Sequence, residues 1–259
     1  MTILPSMKHT SPVALVTGAN KGIGQEIARV LATRGFTVLV GARNLARGEA
    51  AARDMPGDAR ALQLDVTQAD SIASAAARVR DELGRLDVLV NNAGIARASN
   101  DGTPSTIDDI QRESAPSRAP LSLVRAVFET NVFGVIAVTQ AMLPLLREAP
   151  AARIVNVSSG LGSLTRISAP EFAHRRVGGV TYAPSKTALN AVTVAFAQEL
   201  EGTRIKVNAV CPGYTATDLN NHSGTRSVAE AARRPVELAL LGPDGPTGSL
   251  SNDEGPVPW

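Results

Sequence analysis

Short runs of apolar, often β-branched residues alternate along the chain with longer segments whose apolar positions recur at helical spacing. The short runs are apolar on both faces, which is typical of strands covered by helices above and below. This alternation predicts βαβ units and a parallel sheet. The predicted strands are Val13–Thr17, Thr37–Val40, Ala61–Leu64, Leu86–Asn91, Arg153–Val157 and Ile205–Val210, with a short final strand near Gly248–Ser251.

The first and third segments between the predicted strands carry signals for helices with defined ends. Gly35 is expected to stop the first helix. A capping box of Thr67 and Asp70 is expected to begin the next helix, and Gly84 to end it. The apolar stripe of the first helix comprises Ile23, Ile27, Val30 and Leu31.

Three further helices are predicted in the second half of the chain. Leu121–Leu146 and Ser185–Leu200 have the length and apolar content of long helices. Ser227 with Glu230 forms a capping box for a last helix, in which Pro235 is expected to bend or interrupt the first turns.

The whole pattern predicts an α/β fold, a single-domain, Rossmann-like, doubly wound parallel sheet with helices on both faces. A chain of 259 residues can bury a large core, and α/β folds of this length often form one domain. We therefore expect residues 1–259 to form one domain, with residues 1–11 as a flexible N-terminal extension. Two polar stretches, Arg97–Ala119 and Thr165–Gly179, break the pattern, and loops this long are usually functional or disordered.

Composition and charge exclude several classes of function. The 26 basic and 24 acidic residues give a net charge of only +2, and the few aromatic residues offer little for stacking bases, so nucleic-acid binding is not expected. The polar start and the absence of an apolar run near ~20 residues predict a cytoplasmic protein without a membrane span. Cys211 is the single cysteine, which fits a reducing compartment. His9, His174 and His222 lack ligand spacing, so no metal site is expected.

A glycine-rich turn follows the first predicted strand and leads directly into a helix. Gly18, Gly22 and Gly24 have the spacing Gly-x3-Gly-x-Gly. Glycines at such a turn let the backbone approach a pyrophosphate at the helix N-terminus. Glycines also serve ordinary loops, but the position between strand and helix favours a dinucleotide site.

Five motifs in this order resemble those of the short-chain dehydrogenase/reductase family. The glycine-rich turn is followed by Asn91–Gly94, Asn156–Ser159, Tyr182–Lys186 and Pro212–Gly213, and the resemblance covers roughly residues 13–241. The family resemblance implies an oxidoreductase that uses a nicotinamide cofactor. The segments that further resemble its carbonyl reductase branch are Asn20–Gly24, Gly41–Arg43 and Pro235–Leu241.

The end of the second strand favours NADPH/NADP+ as the cofactor. NAD-selective sites place an acidic residue here, whereas this chain has Arg43, and Lys21 in the adjoining loop is a second cation for a phosphate. The alternative is that both are solvated surface charges. Asp65 is either the family's adenine contact or a turn residue at the end of a strand. The resemblance implies cofactor contacts from Gly18, Asn20, Lys21, Gly22, Ile23, Gly24, Arg43, Asp65, Val66, Asn92, Ala93, Gly94, Tyr182, Lys186, Pro212, Gly213, Thr215 and Thr217.

Tyr182 and Lys186 are four residues apart and share one face of a helix that Thr181 can cap. Pro184 is tolerable only in the first turn of that helix. Hydride delivery to a ketone leaves an alkoxide that needs a proton, which a phenol with a pKa near ~10 supplies poorly. An ammonium ~4 Å away at an effective dielectric of ~20 contributes ~4 kcal/mol, or about three pKa units. The pairing therefore predicts a Tyr182 whose pKa is lowered toward neutrality.

The resemblance adds Ser159 and Asn131 to this catalytic set. Ser158 and Ser159 are both candidates to hold the substrate oxygen, and the family pattern favours Ser159. Asn131 corresponds to the family's helical Asn, which supports a water beside the Lys. Each residue alone has a structural alternative, such as a strand-end serine or a surface Tyr–Lys pair. The joint occurrence favours catalysis.

These observations predict reduction of a ketone or aldehyde by NADPH, with Tyr182 as proton donor. Oxidation of a secondary alcohol or steroid with NADP+ is a second hypothesis, since such a site runs both ways. A cofactor-binding sensor without turnover is a third. The partner is a small carbonyl compound, and the family includes dimers, tetramers and monomers. Both polar stretches are expected to border the substrate entrance.

Overall fold

The computed structural model of the chain describes residues 11–96 and 112–259. These residues form an eight-stranded sheet in the order β3-β2-β1-β4-β5-β6-β7-β8. All neighbouring strands are parallel except the last pair. The strands are β1 (Val13–Thr17), β2 (Thr37–Ala42), β3 (Asp58–Gln63), β4 (Val88–Asn91), β5 (Arg153–Val157), β6 (Lys206–Val210), β7 (Ser249–Asn252) and β8 (Gly255–Pro256).

Helices cover both faces of this sheet, which confirms the predicted doubly wound α/β fold. Alternate residues of β1 enter different cores: Leu15 packs in a cluster with Met142, and Val16 in a cluster with Ile27 on the opposite face. The helices of the described residues are α1 (Gly22–Thr33), α2 (Leu45–Arg53), α3 (Ala69–Leu83), α4 (Leu121–Phe128), α5 (Gly134–Arg147), α6 (Leu164–Ser168), α7 (Tyr182–Glu199) and α8 (Val228–Ala239).

The position of β1 between β2 and β4 creates the crevice where a ligand can bind. The chain runs outward from β1 to β2 and β3 on one side, and then returns to place β4 on the other side. The order of the strands therefore reverses next to β1. In open α/β sheets, ligands bind outside the carboxyl ends of the strands at such a reversal.

The segment predicted as one long helix, Leu121–Leu146, contains a π-helical turn. Residues Glu129–Phe133 form this turn between α4 and α5. By length and apolar composition the segment Leu121–Arg147 could cross a membrane. Within this segment, Met142 and Leu146 have no exposed surface and pack in the core beside the sheet.

Three elements differ from the predictions because their sequence pattern is weak. The third strand begins at Asp58 rather than Ala61, since this edge strand carries alternating polar residues. Helix α2 was not predicted; Asn44 caps it by accepting a hydrogen bond from the Arg47 amide at 3.0 Å. The two-residue strand β8 is too short to give a periodic signal.

The predicted helix ends were correct in some places and wrong in others. Ser227 and Glu230 form the expected capping box, whereas Thr67 gives no cap, because its hydroxyl donates to Asp65 Oδ1 at 2.7 Å. Thr181 occupies the N-cap position of α7 without a side-chain cap bond. Of the two effects predicted for Pro235, an interruption of the last helix was wrong, because α8 runs through Pro235, which is buried.

The two polar stretches meet in the structure. Residues 97–111 of the first stretch lie outside the described residues. The amide of Val180 donates to the Ser114 carbonyl at 2.8 Å, so the end of the first stretch contacts the chain just beyond the second. Gly179 allows this approach, since a Cβ there would overlap the Ser114 carbonyl oxygen at 2.1 Å.

Candidate active site

The glycine-rich turn is shaped by the segment that follows β4. Asn92 Nδ2 donates to the carbonyl oxygens of Thr17 at 2.9 Å and Gly18 at 3.2 Å. A Cβ on Gly24 would lie 2.3 Å from Asn92 Nδ2 and 2.8 Å from the Gly18 oxygen. Gly18 also has a positive φ of 63°. Glycine is therefore required at both positions by this close approach, which leaves the first turn of α1 facing the crevice.

A cleft of about 750 Å³ lies over the carboxyl ends of the central strands. This volume is within the usual range for a small-molecule or cofactor site. Gly213 and Thr215, which were also predicted, lie outside its lining. The predicted cofactor residues that line the cleft are Gly18, Asn20, Lys21, Gly22, Ile23, Gly24, Arg43, Asp65, Val66, Asn92, Ala93, Gly94, Tyr182, Lys186, Pro212 and Thr217.

Thr215 instead closes the turn after β6. It is 4% exposed, and its hydroxyl donates to the Gly213 carbonyl at 3.2 Å. Gly213 has a φ of 80° and faces the Arg226 side chain rather than the cleft. These two residues therefore shape the loop that carries Thr217 to the cleft.

The cations at one end of the cleft differ in their availability. Arg43 follows β2 and is exposed, and within the described part of the chain its side chain forms no hydrogen bond or ion pair. Lys21, expected as a second free cation, is instead paired with Asp218. The Lys21 hydrogen bond and, to a lesser extent, His222 hold the pKa of Asp218 below its usual value. The positive potential at this end therefore comes mainly from Arg43 and its neighbours.

Sequence reasoning missed several charged residues of this lining, among them Arg47 and Asp218. Arg47 lies in the first turn of α2 and lines the cleft near Arg43. Its signal was the spacing of four residues from Arg43, which was overlooked because helix α2 was not predicted. Asp218 lies in a short 3₁₀ turn, Asp218–Asn220, whose pairing with a lysine 197 positions away has no local sequence signal.

Asp65 shapes a turn and also lies in the lining of the cleft, so the adenine contact that the resemblance implies stays a prediction. Its Oδ1 accepts hydrogen bonds from the Thr67 amide at 3.0 Å and the Thr67 hydroxyl at 2.7 Å, so it shapes the turn after β3. Asp65 also lines the cleft together with Val66.

Tyr182 and Lys186 lie on the first turns of α7, with Pro184 in the first turn as expected. Lys186 is buried and Tyr182 is half-buried, and Lys186 Nζ donates to the Val157 carbonyl at 2.8 Å. The ammonium nitrogen is 5.6 Å from the centroid of the Tyr182 ring. The pair therefore points into one environment at the inner end of the cleft.

The structure distinguishes the two serines at the end of β5. Ser158 is buried and its hydroxyl donates to Asn190 Oδ1 at 2.6 Å, which is a structural contact between β5 and α7. The Ser159 hydroxyl lies near the Tyr182 phenol, whose pKa it lowers, and it accepts a hydrogen bond from the Leu161 amide at 3.1 Å. Ser159 is therefore the serine that faces the phenol.

The protonation of the Tyr–Lys pair differs from the prediction. Burial is the main cause that raises the pKa of Tyr182 above its ordinary value, and the nearby Cys211 also raises this pKa. The Ser159 hydroxyl has the opposite effect and lowers the pKa of Tyr182. Burial lowers the pKa of Lys186 to about 8. The expected lowering of the Tyr182 pKa was therefore wrong for the protein without cofactor. Burial disfavours both the Tyr182 phenolate and the Lys186 ammonium, so Tyr182 remains a protonated phenol.

Asn131 lies in the π-helical turn, and its amide is fully used. Its Nδ2 donates to the Ile95 carbonyl at 2.9 Å and to Ser185 Oγ at 3.0 Å, and its Oδ1 accepts from the Ile95 amide at 2.9 Å. A Cβ on Gly94 would lie 3.4 Å from Asn131 Oδ1 and 3.5 Å from Lys186 Nζ. Asn131 therefore holds the segment after β4 against the start of α7; π turns of this kind are frequent at functional sites.

Comparison with known proteins agrees with this geometry. The family model described as short chain dehydrogenase matches residues 12–227. This chain is a short-chain dehydrogenase/reductase. The family comprises oxidoreductases that bind nicotinamide cofactors, and this member is carbonyl reductase-like.

Three relatives indicate where this short-chain dehydrogenase/reductase lies within the family. It is 35% identical to (−)-isopiperitenone reductase of Mentha piperita, over 93% of this chain and 96% of the relative. It is 36% identical to carbonyl reductase (NADPH) 3 of Rattus norvegicus, over 98% and 100% of the two chains. The solved structure of salutaridine reductase from Papaver somniferum has a TM-score of 0.78 at 29% identity and covers 93% of this chain and 99% of that one.

The cleft fits a nicotinamide dinucleotide on its own chemistry. Gly18 and Gly24 leave a backbone surface where side chains would fill the space, and the N-terminus of α1 favours an anion there. Arg43 and Arg47 supply guanidinium groups at one end of the cleft, and Tyr182 and Lys186 lie in its lining as well. Within residues 11–96 and 112–259, no cluster of His, Cys, Asp and Glu could hold a metal ion.

Proposed function

We propose that this short-chain dehydrogenase/reductase reduces a ketone or aldehyde to an alcohol with NADPH, and that Tyr182 donates the proton. The observation that carries the proposal is the convergence of the Ser159 hydroxyl, the half-buried Tyr182 phenol and the Lys186 ammonium, which lies 5.6 Å from the centroid of the Tyr182 ring. Isopiperitenone reductase and carbonyl reductase (NADPH) 3 among the relatives support the same direction.

Each residue has a defined role in this mechanism. Ser159 donates a hydrogen bond to the substrate oxygen and holds it beside the Tyr182 hydroxyl. NADPH, when bound, supplies the hydride. Tyr182 then gives its proton to the alkoxide oxygen, and the Lys186 ammonium stabilises the phenolate that remains. Asn131 positions the backbone of Ile95 and the start of α7 and so fixes the distance between these groups.

The protonation state favours reduction over alcohol oxidation. A phenol whose pKa is raised by burial holds a proton to donate, whereas oxidation needs a base to accept one. The absence of a carboxylate after β2, with Arg43 and Arg47 in its place, supports NADPH rather than NADH. Arg43 would bind the 2′-phosphate, and the start of α1 the pyrophosphate.

The remaining features of the proposal concern the context of the enzyme. We propose that residues 1–259 act as one NADP(H)-binding domain in the cytoplasm, on a small-molecule carbonyl substrate, without a nucleic-acid or membrane partner. The modest net charge of +2 and the packing of Met142 and Leu146 in the core support this view.

The experiment compares wild type, Tyr182→Phe and Tyr214→Phe on a panel of ketones and aldehydes, with NADPH consumption followed by absorbance. The two variants each remove one phenol oxygen, and the Tyr214 hydroxyl only contacts Ser223 Oγ at 2.5 Å. We expect Tyr182→Phe to lower kcat/KM by about 10²–10⁴-fold, the usual contribution of a positioned general acid, and Tyr214→Phe to change it little. Wild-type rates in Tyr182→Phe would refute the proposal, and NADPH binding without turnover would favour the sensor hypothesis.

A further inference from the structure

Arg166 lies close to Ser159, and its side chain has no hydrogen-bond or ion-pair partner among the described residues. It belongs to α6, which follows the 3₁₀ turn Gly160–Gly162 directly after Ser159. Its Nη1 is 3.4 Å from the point that a Cβ on Gly160 would occupy, and Cys211 Sγ is 3.6 Å from the same point. The guanidinium is therefore folded back onto the residue next to Ser159.

The backbone around Arg166 is held firmly while the side chain is left unpaired. The Arg166 amide donates to Ser163 Oγ at 3.1 Å, and its carbonyl accepts from the Ala169 amide at 3.1 Å. The side chain is partly buried, yet it forms no hydrogen bond or ion pair with any residue in the described ranges. The main-chain oxygen of Trp259 lies next to Thr165, the residue before Arg166, and accepts hydrogen bonds from the Thr165 amide and hydroxyl.

The guanidinium nitrogens of Arg166 remain accessible to solvent, since no buried side-chain nitrogen or oxygen of the described residues lacks a hydrogen-bond partner, so a ligand can reach its N–H donors. Other partly buried arginines of this chain are paired: Arg85 with Asp87 at 3.1 Å and Arg234 with Glu237 at 2.8 Å. Unlike these two, Arg166 has a guanidinium that faces the catalytic segment. A ligand that brings its own carboxylate would satisfy its donors in the fork geometry that arginine favours.

We infer that Arg166 is a specificity-determining residue that binds a carboxylate on the substrate, so that this enzyme prefers oxo acids to neutral ketones. The inference rests on the proposed carbonyl reduction, since it places the substrate oxygen at Ser159 and the carboxylate one residue further along the chain. The Gly160 amide donates to Cys211 Sγ at 3.0 Å, which fixes the backbone directly after Ser159. Because Gly160 directly follows Ser159, the carboxylate and the ketone must be only a few carbons apart.

The test uses oxo acids in which one to four carbons separate the ketone from the carboxylate, each with its methyl ester. The ester keeps the ketone and removes the charge. Hydrogen bonds to a charged group contribute about 1.5–3 kcal/mol, so we expect wild type to prefer the best acid over its ester by roughly 10–100-fold in kcat/KM. Arg166→Gln should lose this preference with ester turnover nearly unchanged, and Arg166→Lys should keep part of it. Arg175→Gln, an exposed arginine of the same segment, should behave as wild type.

A binding measurement separates failure of this inference from failure of the proposed function. Titration calorimetry of the same oxo acids into protein saturated with NADP+ needs no turnover. Weaker binding to Arg166→Gln than to wild type supports the inference even if no acid is reduced. Equal binding of acids and esters to wild type, or an acid preference that survives in Arg166→Gln, would overturn it. Turnover of esters in either case leaves the carbonyl reductase proposal intact.

Discussion

Burial of Lys186 as a cation makes the stability of this protein depend on pH in a predictable direction. Its pKa is lowered from 10.5 to about 8 in the folded protein, with burial as the cause. A group whose folded pKa is depressed binds fewer protons in the folded chain than in the unfolded chain between these two values. The unfolding free energy contributed by Lys186 therefore rises with pH from about 8 to 10.5. Below pH 8 the full cost of the buried ammonium is present.

The size of this change in unfolding free energy follows from the lowering of the Lys186 pKa. One pKa unit corresponds to about 1.4 kcal/mol, so the cost at pH 7 is about 3 kcal/mol, and about 2 kcal/mol of it is relieved by pH 9.5. Lys186→Met removes the titrating group and so removes this pH dependence. The difference in unfolding free energy between wild type and Lys186→Met should therefore shift by about 2 kcal/mol in favour of wild type between pH 7 and 9.5.

Urea unfolding of the cofactor-free proteins at several pH values measures this difference. Thr187→Met is the control, since it introduces the same side chain one residue along α7 without removing a titratable group. Its difference from wild type should stay constant over the same range. A difference between wild type and Lys186→Met that does not change with pH would refute the argument that the ammonium is buried at a cost.

Two further predictions concern the cofactor end of the cleft. Asp218→Asn should free Lys21 to bind the 2′-phosphate of NADPH. Because both side chains of the ion pair are about half exposed, the pair contributes about 0.2–1 kcal/mol. The affinity for NADPH, measured by fluorescence titration, should therefore rise up to roughly fivefold, and the affinity for NADH should not change. Weaker NADPH binding in that variant would show that the pair holds the loop over the cofactor instead. Gly24→Ala should lower the unfolding free energy by about 1–3 kcal/mol and weaken NADPH binding, since the new Cβ would overlap the Gly18 oxygen. Gly242→Ala is the control, because a Cβ there would have no atom within 4 Å, and it should change neither property. Equal stability of the two alanine variants would contradict the close approach.

Elements with strong periodic patterns could be predicted from the sequence, and elements set by tertiary contacts could not. β1 and β5 were predicted with their observed bounds because every residue in them is buried. Helix α2 has a weak apolar stripe and is positioned by its packing on β2 and β3, so the pattern did not reveal it. The missed helix also concealed Arg47 as a residue of the cleft.

The candidate site shows the same division between local and long-range information. The convergence of Ser159, Tyr182 and Lys186 followed from motif order and helical spacing. The pKa values did not, because they depend on burial, which spacing does not report. The pairing of Lys21 with Asp218 joins residues far apart in the chain, and only the folded loop after β6 brings them together.

Isotope labelling can show directly whether the hydride of NADPH reaches a carbonyl carbon next to Tyr182. Wild type and Tyr182→Phe are each mixed with NADPH deuterated at the transferable position and a reducible ketone, and the alcohol is analysed by mass spectrometry. We expect wild type to form an alcohol with one deuterium on the alcohol carbon. With Tyr182→Phe the alcohol should form at least about 100-fold more slowly. Unlabelled alcohol, no alcohol from any ketone, or equal rates for the two proteins would contradict this expectation.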